Sequence, residues 1–422
     1  MKHIVIIGGG FGGLNMVKQL AGKKGCKVTL VDRNNYNFFP PLMYQIATGM
    51  LEAGNISYPF RKLLRGMTNI RFQMGEFKKL VPEENRVILS TGELLYDYIV
   101  FATGVYTNYF GMENVKQHAL PMKTVHDAIR LRNHVLMQLE LAATTPDILE
   151  REKLLTIVVA GGGPTGVELS GMLADLRKYV MHKDYPEIVE QGLEPKIILV
   201  DGVDVVLKPM SDKSHKHTYK ALIEMGVQVK LNMQVKDYTN DAVIFANGEK
   251  ILTRSLVWAA GVTGGEFPGI PTEAYGRGKR LSTDGYNCVM GFKNVFAIGD
   301  IAIQKHEAKF GSGHPQLAQV AIQQGVNLAK NLIAAQKGQP MKPFKYWDKG
   351  TMAIIGRNRA VVDIPNKIHF HGFIAWMMWL FVHLLSLATQ RSRVTTLYNW
   401  MVNLFTKDQA LRMIIRSSDN SK

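Results

Sequence analysis

Residues 4–15 read IVIIGGGFGGLN and residues 157–168 read IVVAGGGPTGVE, so one 422-residue chain carries the same strand, glycine turn and helix signature twice. In each copy a run of β-branched residues leads into G-x-G-x-x-G and then into a helical pattern. Gly8, Gly10 and Gly13 in the first copy, and Gly161, Gly163 and Gly166 in the second, allow a tight turn, close backbone approach to a pyrophosphate and close packing of helix on strand. The helix behind each turn offers a phosphate its N–H donors and the positive end of its dipole. One such signature is weak evidence, because glycine turns serve purely structural ends too. Two, each with its strand and its helix, point to two bound dinucleotides.

A carboxylate beyond each turn tests this reading. The strand CKVTLVD ends at Asp32, about two dozen residues past Gly8, where an acid can accept both ribose hydroxyls of an adenosine. In the second copy KIILVD ends at Asp201, about forty residues past Gly161 and beyond the usual interval of about twenty. The excess reads as an insertion, LRKYVMHKDYPEIVEQ, that lengthens the crossover helix. Asp201 is followed by Gly202, Val203 and Asp204 with no arginine nearby, so a 2′-phosphate would meet negative charge and NADH is expected rather than NADPH. The competing reading is that Asp201 only caps a turn.

A chain of this length holds two or three domains, each with its own core. Its two cysteines, Cys26 and Cys288, are far apart and give no disulfide framework or metal site; Cys288 reads as structural. His369 and His371 have no acid or cysteine at ligand spacing, and no metal is expected. The first residues enter a strand almost at once, without the features of an export signal, which points to a reducing cytoplasmic setting. The net charge of +16 asks for an anionic partner. From Pro340 onward twelve Lys or Arg face four acids, so this last fifth of the chain holds half of the surplus.

The same region contains GFIAWMMWLFVHLLSLAT, residues 372–389, uncharged and with two tryptophans. Cations beside Trp-rich apolar sequence mark a membrane interface, and nucleic-acid motifs are absent. The stretch barely reaches the length of a span, and Gly372, His383 and Ser386 weaken it. Beyond it Leu397, Met401, Leu404, Phe405, Leu411 and Ile415 follow helical spacing, with Lys407, Arg412 and Arg416 toward water. Attachment without spanning is expected; the alternative is that both helices pack on the protein or on a second subunit.

Other segments fall in the order of a flavoprotein that binds two dinucleotides. Ala102, Thr103 and Gly104 end a buried strand in RVILSTGELLYDYIVFATGVYTN, and Ala260 and Gly261 end a second, SLVWAAGV. Asp300 ends NVFAIGDIA, where its carboxylate can bond the ribityl or pyrophosphate region of a flavin. With GGGFGG, VDRNNYNFFPPLMYQIATG, GGGPTGVELSG, PQLAQVAIQQG, YWDKGTMAIIGR and GFIAWMMWLFVHLL, these stretches make the chain resemble, over nearly its whole length, the type II NADH dehydrogenases, which are single-subunit NADH:quinone oxidoreductases.

The resemblance implies an α/β fold of two Rossmann-like domains, the first interrupted by the second, followed by a C-terminal amphipathic helical region that binds the membrane. The expected boundaries are 1–112 and 266–345 for the FAD-binding domain, 113–265 for the NADH-binding domain and 346–422 for the anchor. One non-covalent FAD per subunit is implied, lying among Gly8, Gly9, Gly10, Phe11, Gly12, Gly13, Asp32, Arg33, Phe77, Ala102, Thr103, Gly104, Asp300, Ala321 and Lys349. NADH is implied at Gly161, Gly163, Gly166, Glu168 and Asp201.

Position alone lets Glu168 either point toward nicotinamide and flavin or merely suit the helix dipole; the resemblance favours an active-site acid. Gln319 and Gln323, four apart on one helix face, can bond a quinone carbonyl without charge or can simply be solvated, and here too the resemblance favours function. The segment NNYNFFPPLMYQIATG lacks the reactive cysteine of disulfide, coenzyme A and peroxide reductases, and two isolated thiols do not supply the relay of a sulfide:quinone oxidoreductase. The expected activity is therefore non-pumping transfer from NADH through FAD to menaquinone or ubiquinone, by a homodimer on the cytoplasmic face of the inner membrane. The alternatives are an NADH-sensing flavoprotein of the apoptosis-inducing-factor kind and a ferredoxin-type reductase.

Overall fold

The β-branched runs before the two glycine turns become parallel strands buried on both faces. The computed structural model describes residues 1–239, 241–407 and 411–415, which separate into two compact units. The first comprises Met1–Phe38, Tyr58–Tyr106 and Val262–Asp348, and the second Phe39–Ser57, Thr107–Gly261 and Lys349–Lys422.

In the first unit β1 (Lys2–Ile7), α1 (Phe11–Leu20), β2 (Cys26–Asp32) and β3 (Ile70–Met74) are followed by an antiparallel meander. The meander is β4 (Phe77–Val81), β5 (Arg86–Leu89) and β6 (Gly92–Leu95), and β7 (Tyr98–Phe101) comes next. The parallel sheet runs β7-β1-β2-β3, with Val295–Ala297 added beside β7. Ile4 and Ile6 enter one core with α1 and the helix Ala318–Gln336, while Val5 and Ile7 enter the other with the meander. Burial on both faces is why β1 reads as a continuous apolar run instead of alternating.

The second unit repeats the plan. β8 (Leu120–Pro121), α2 (Val125–Thr144), β9 (Thr156–Ala160), α3 (Pro164–Leu176) and β10 (Lys196–Val200) lead to α4 (Asp212–Glu224) and β11 (Val227–Lys230). A meander of β12 (Val235–Tyr238), β13 (Ala242–Phe245) and β14 (Lys250–Leu252) precedes β15 (Ser255–Trp258). The order β15-β9-β10-β11, extended by β8, matches β7-β1-β2-β3 strand for strand, with the meander inserted at the same point. The predicted insertion does extend the crossover, but not as one straight helix. α3 passes into a π-helical turn at Arg177–Met181, then His182–Asp184, and breaks before Pro186–Val189.

The C-terminal part shares the second unit rather than standing alone, as does Phe39–Ser57, which the sequence reading placed in the first domain. An antiparallel meander of β16 (Thr351–Gly356), β17 (Arg359–Ile364) and β18 (Ile368–His371) packs on α3 and α4 and continues into α5 (Gly372–Ser386) and α6 (Gln390–Thr406). Tryptophans 376, 379 and 400 turn inward, while Phe373, Ile374, Phe381, Val394, Tyr398 and Phe405 stay exposed, Phe405 at 76%. No helix of the described residues is long and apolar enough to cross a membrane.

α6 ends earlier than its spacing predicts. Lys407 adopts a left-handed φ of 56°, which stops the helical ladder before Leu411 and Ile415. Instead the Leu411 N–H bonds the Gly49 carbonyl at 3.2 Å, Asn133 bonds the Ile415 carbonyl at 2.7 Å, and Arg412 pairs with Asp184 at 2.7 Å. Arg412 is thus turned to the protein, not to water; Arg416 lies outside the described residues.

The α3 to β16 contact depends on Gly171, where a Cβ would run into the Ile355 carbonyl. Gly171→Ala is expected to destabilise the protein by about 1–3 kcal/mol through overpacking, read by denaturant unfolding. Unchanged stability would contradict this packing.

Candidate functional site

Each glycine turn is shaped by the same collisions. Gly8 and Gly161 hold φ of +106° and +114°, and a Cβ on either would strike the chain leaving the neighbouring strand, at Ala102 and at Ala259. Gly13 and Gly166 press against the carbonyls of Gly8 and Gly161. Gly10 and Gly163 differ: nothing lies within 4 Å of where their Cβ atoms would stand. Both are the N-cap residues of their helices, so the open volume before each is faced by helix N-terminal N–H groups. A pyrophosphate fits that volume in both cradles.

The two acids stand in equivalent places despite their different intervals. Asp32 accepts the Gly9 N–H at 2.7 Å and the Asn34 N–H at 2.8 Å; Asp201 accepts the Gly162 N–H and the Val203 N–H, the latter at 2.9 Å. Asp201 therefore caps a turn and braces the glycine loop at once, so the two readings of it are not exclusive. Each carboxylate oxygen keeps a lone pair for a ribose hydroxyl. Burial pushes the Asp32 carboxyl above its ordinary value, opposed by its two N–H donors and by Arg33.

In the first unit, the helix Ala318–Gln336 closes on the cradle. The Ala321 carbonyl lies 3.3 Å from where a Gly12 Cβ would be, and its methyl lies 3.1 Å from that position on Gly299. Buried Gln324 accepts the Gly299 N–H at 2.7 Å and so fixes the turn that carries Asp300, whose carbonyl is held by Arg280 at 2.9 Å. Phe11 opens α1, and Thr103 and Gly104 follow Ala102 out of β7. The exposed Arg33 guanidinium sits 6.0 Å from the Tyr106 ring centre. Phe77 packs its ring edge-on against Phe101 and Phe267, so its side chain belongs to the core. Lys349 is exposed, at the start of the C-terminal part of the second unit.

Gln319 and Gln323 share a helix face, but Gln323 commits both ends of its amide to the main chain of Trp347. Its Nε2 donates to the Trp347 carbonyl at 2.9 Å, and its Oε1 accepts the Trp347 N–H at 3.0 Å. Gln323 thus braces the segment before Lys349, and its amide keeps one further N–H and one further lone pair.

Glu168 is buried on α3, and burial drives its carboxyl well above the ordinary range, partly offset by the Ile354 N–H. Tyr44, also buried, feels the Glu168 charge; its hydroxyl accepts from Gln45 Nε2 at 3.0 Å, and Gln45 Oε1 accepts the Trp400 indole N–H at 2.8 Å. Two turns along α3, Asp175 is pushed up to about 6 by burial, against the Arg357 N–H and the charges of Arg357, Arg359 and Lys178. Sequence reading missed Tyr44, Gln45, Asp175 and Gln324. Only Gln324 carried a local signal, since Val320, Gln324 and Leu328 recur at the spacing of a core face.

Cys26 is buried in the first unit, and burial raises the Cys288 thiol to about 11, so neither is poised as a thiolate. His369 bonds Asp363 at 2.8 Å and His371 stacks on His217; among the described residues no three metal-ligating side chains converge.

A chain with two matched dinucleotide cradles and no reactive cysteine pair is an oxidoreductase of the two-dinucleotide class. The pyridine nucleotide-disulphide oxidoreductase model matches residues 2–325, and the NDH2 C-terminal domain model matches residues 348–408. The chain is 35% identical over 419 residues to a type II NADH:quinone oxidoreductase of Mycobacterium tuberculosis, covering 95% of this chain and 87% of that one. A second enzyme of that name from the same organism is 32% identical, with coverage of 96% and 88%. Among solved structures, NDH2 from Plasmodium falciparum in complex with NADH shares the fold at a TM-score of 0.88 and 22% identity, covering 98% of this chain and 100% of that one. The sulfide:quinone oxidoreductase of Aquifex aeolicus follows at 0.73 and 20%, covering 97% and 96%. The chain belongs to the type II NADH:quinone oxidoreductases. It is an FAD-dependent, non-pumping enzyme attached peripherally to the membrane, and the sensing-flavoprotein and ferredoxin-reductase readings give way.

A carboxyl whose value rises on folding confers stability that is fully present below its unfolded value and is lost as pH climbs toward the folded one. Wild type should therefore lose stability relative to Glu168→Gln from about pH 4.5 upward, measured by denaturant unfolding at pH 5 and pH 8. Parallel pH dependence in the two proteins would show that Glu168 ionises freely.

Proposed function

We propose that this chain, as a homodimer on the cytoplasmic face of the inner membrane, takes two electrons from NADH at the second cradle and delivers them to a membrane quinone. The observation that carries the reading is the repetition of one cradle geometry, acid included, in a chain that also presents an apolar helical face. Bound FAD would accept hydride and give up electrons, chemistry that is the cofactor's own. The residues from Gly8 to Gly13 would seat its pyrophosphate, Asp32 its ribose, and Ala102, Thr103, Gly104, Asp300 and Ala321 would wall it in, with Arg33 and Lys349 at the margin. Phe77 would contribute through its backbone alone, its ring being in the core.

On the second unit Gly161, Gly163 and Gly166 would hold the pyrophosphate of NADH. Asp201 would take its ribose and repel a 2′-phosphate, which makes NADPH the poorer substrate. Quinone reduction to the quinol consumes protons, and Glu168, whose burial favours the protonated carboxyl, would hold one for delivery. Gln319 would bond a quinone carbonyl, with Gln323 holding the adjoining chain in place.

Two substitutions separate these roles. Glu168→Gln should keep its FAD, visible as the flavin spectrum, yet turn over with quinone about 10²-fold more slowly or worse, the scale of a lost acid. Gln319→Leu should raise the quinone KM by about tenfold, one hydrogen bond's worth, with NADH reduction of bound FAD unchanged. Wild-type quinone turnover in the first, or wild-type KM in the second, would remove the corresponding assignment.

A further inference from the structure

Within the second unit a groove with about 550 Å³ of empty space, part of it open to solvent, is lined by α3, β16, α5 and α6 and by the π-helical turn that follows α3. Its floor is apolar, formed by Met172, Ile354, Trp376, Leu380, Trp400 and Leu404. Its polar part combines two cations with Gln45, Tyr179, Asn403 and Asp175. Arg357 and Lys407 both line it, each 5.8 Å from the centre of the Tyr179 ring, and Lys178 stands 5.4 Å from the same ring. Asp175 is the one carboxylate of the lining, and its charge is already met by the Arg357 N–H at 2.8 Å.

The end of α6 accounts for part of this. Arg357 donates to the carbonyls of Asn403, at 3.1 Å, and Leu404, and a cation suits a helix C-terminus. Helix capping does not require three cations around one ring, nor an apolar trough beside them bounded by two helices whose outer faces are apolar. Tyr179 and Lys178 come from the insertion that set Asp201 far from Gly161, and they lie on its π-helical turn, a distortion that recurs at functional sites.

We propose that this groove binds one anionic phospholipid per chain, with the phosphate between Arg357 and Lys407 and the start of an acyl chain over Trp376 and Trp400. The charge fits an anion, and the floor fits hydrocarbon. A neutral quinone headgroup would make no use of the two cations, and a bare phosphate would leave the floor wet. The groove is shallow and open to solvent, so a phosphate would sit at its cationic rim and the chain would lie across its floor and run on into the bilayer. The insertion, silent in the redox chemistry, thereby becomes part of the membrane attachment. This site rests on the peripheral attachment alone, not on the roles given to Glu168 or Gln319.

The test uses the full-length holoenzyme and phosphatidylcholine vesicles doped with brominated phosphatidylglycerol or brominated phosphatidylcholine, read by tryptophan fluorescence. Brominated phosphatidylglycerol should quench with a saturable midpoint, and replacing both Trp376 and Trp400 by Phe should abolish that component. Lys407→Gln should shift the midpoint by about fivefold, the loss of one charged contact, while Lys367→Gln, a cation outside the groove, leaves it in place. Equal quenching by the two lipids, or an unmoved midpoint in Lys407→Gln, would overturn the proposal. So would loss of the signal to millimolar inorganic phosphate, which would mark a bare anion site, or to a neutral short-chain quinone. None of these readings involves turnover, so failure of the catalytic assignments would not imitate failure here.

Discussion

The carbonyl oxygens of Gly8 and Gly161 set the architecture, because a helix is packed directly on each of them with no side chain between. Gly13 and Gly166 make those contacts, and a methyl at either would force the helix off its strand. The axis of each helix is thereby set by backbone against backbone, and so is the direction in which its N-terminal N–H groups point. The two copies then diverge by what docks on the glycine-bearing face of the helix. On α1 it is the helix Ala318–Gln336, crossing where a Cβ on Gly325 would strike the Gly12 carbonyl. On α3 it is the C-terminal meander, meeting Gly171. One duplicated unit thus acquired two partners, one that closes a cofactor cradle and one that carries an apolar outer face.

What was legible in the sequence follows from this. Glycine spacing, the β-branched runs and the acids Asp32 and Asp201 report local backbone geometry, and local geometry is written locally. Asp201 was in doubt only because sequence interval is a poor measure of spatial position. The inserted residues bulge out through the π-helical turn and its short successors, and β10 still returns beside β9. Features decided by distant partners were not legible. Nothing along the helix marks Gln323 as the residue whose amide holds the main chain of Trp347. The spacing of Leu411 and Ile415 is helical, yet Gly49, Asn133 and Asp184 hold that segment in another conformation. Tyr44 and Gln45 sat within a stretch whose evident message was the lack of cysteine.

The meander on α3 also joins attachment to chemistry. Glu168 and Asp175 are seven residues apart on one face, and both accept main-chain N–H groups from the same hairpin, at Ile354 and Arg357. A buried carboxyl is disfavoured as an anion unless donors surround it, and one N–H each is not enough, so both values rise. The meander that leads through β18 into α5 thus also lends Glu168 one N–H from β16, against the burial that raises its value.

The same helices show how the described residues can reach lipid without a spanning helix. At 15 residues, α5 is about 22 Å long, short of the roughly 30 Å hydrocarbon core. His383, which looked like the flaw in a span, is not what prevents one. It stacks on Trp379 at 3.8 Å, and burial lowers its value to about 4, so it is neutral there. The limit is geometric: the chain leaves the helix at Leu387, and the Thr389 side chain caps α6 through the Ser392 N–H, so the apolar run folds back on itself. The inner faces are held by Trp379 and Trp400 against the protein, and only the outer faces remain for lipid. A hairpin fixed in this way can sink to the level of the acyl chains, where a quinone is soluble. Among the described residues it adds no helix that crosses them, in keeping with the non-pumping family to which the chain belongs.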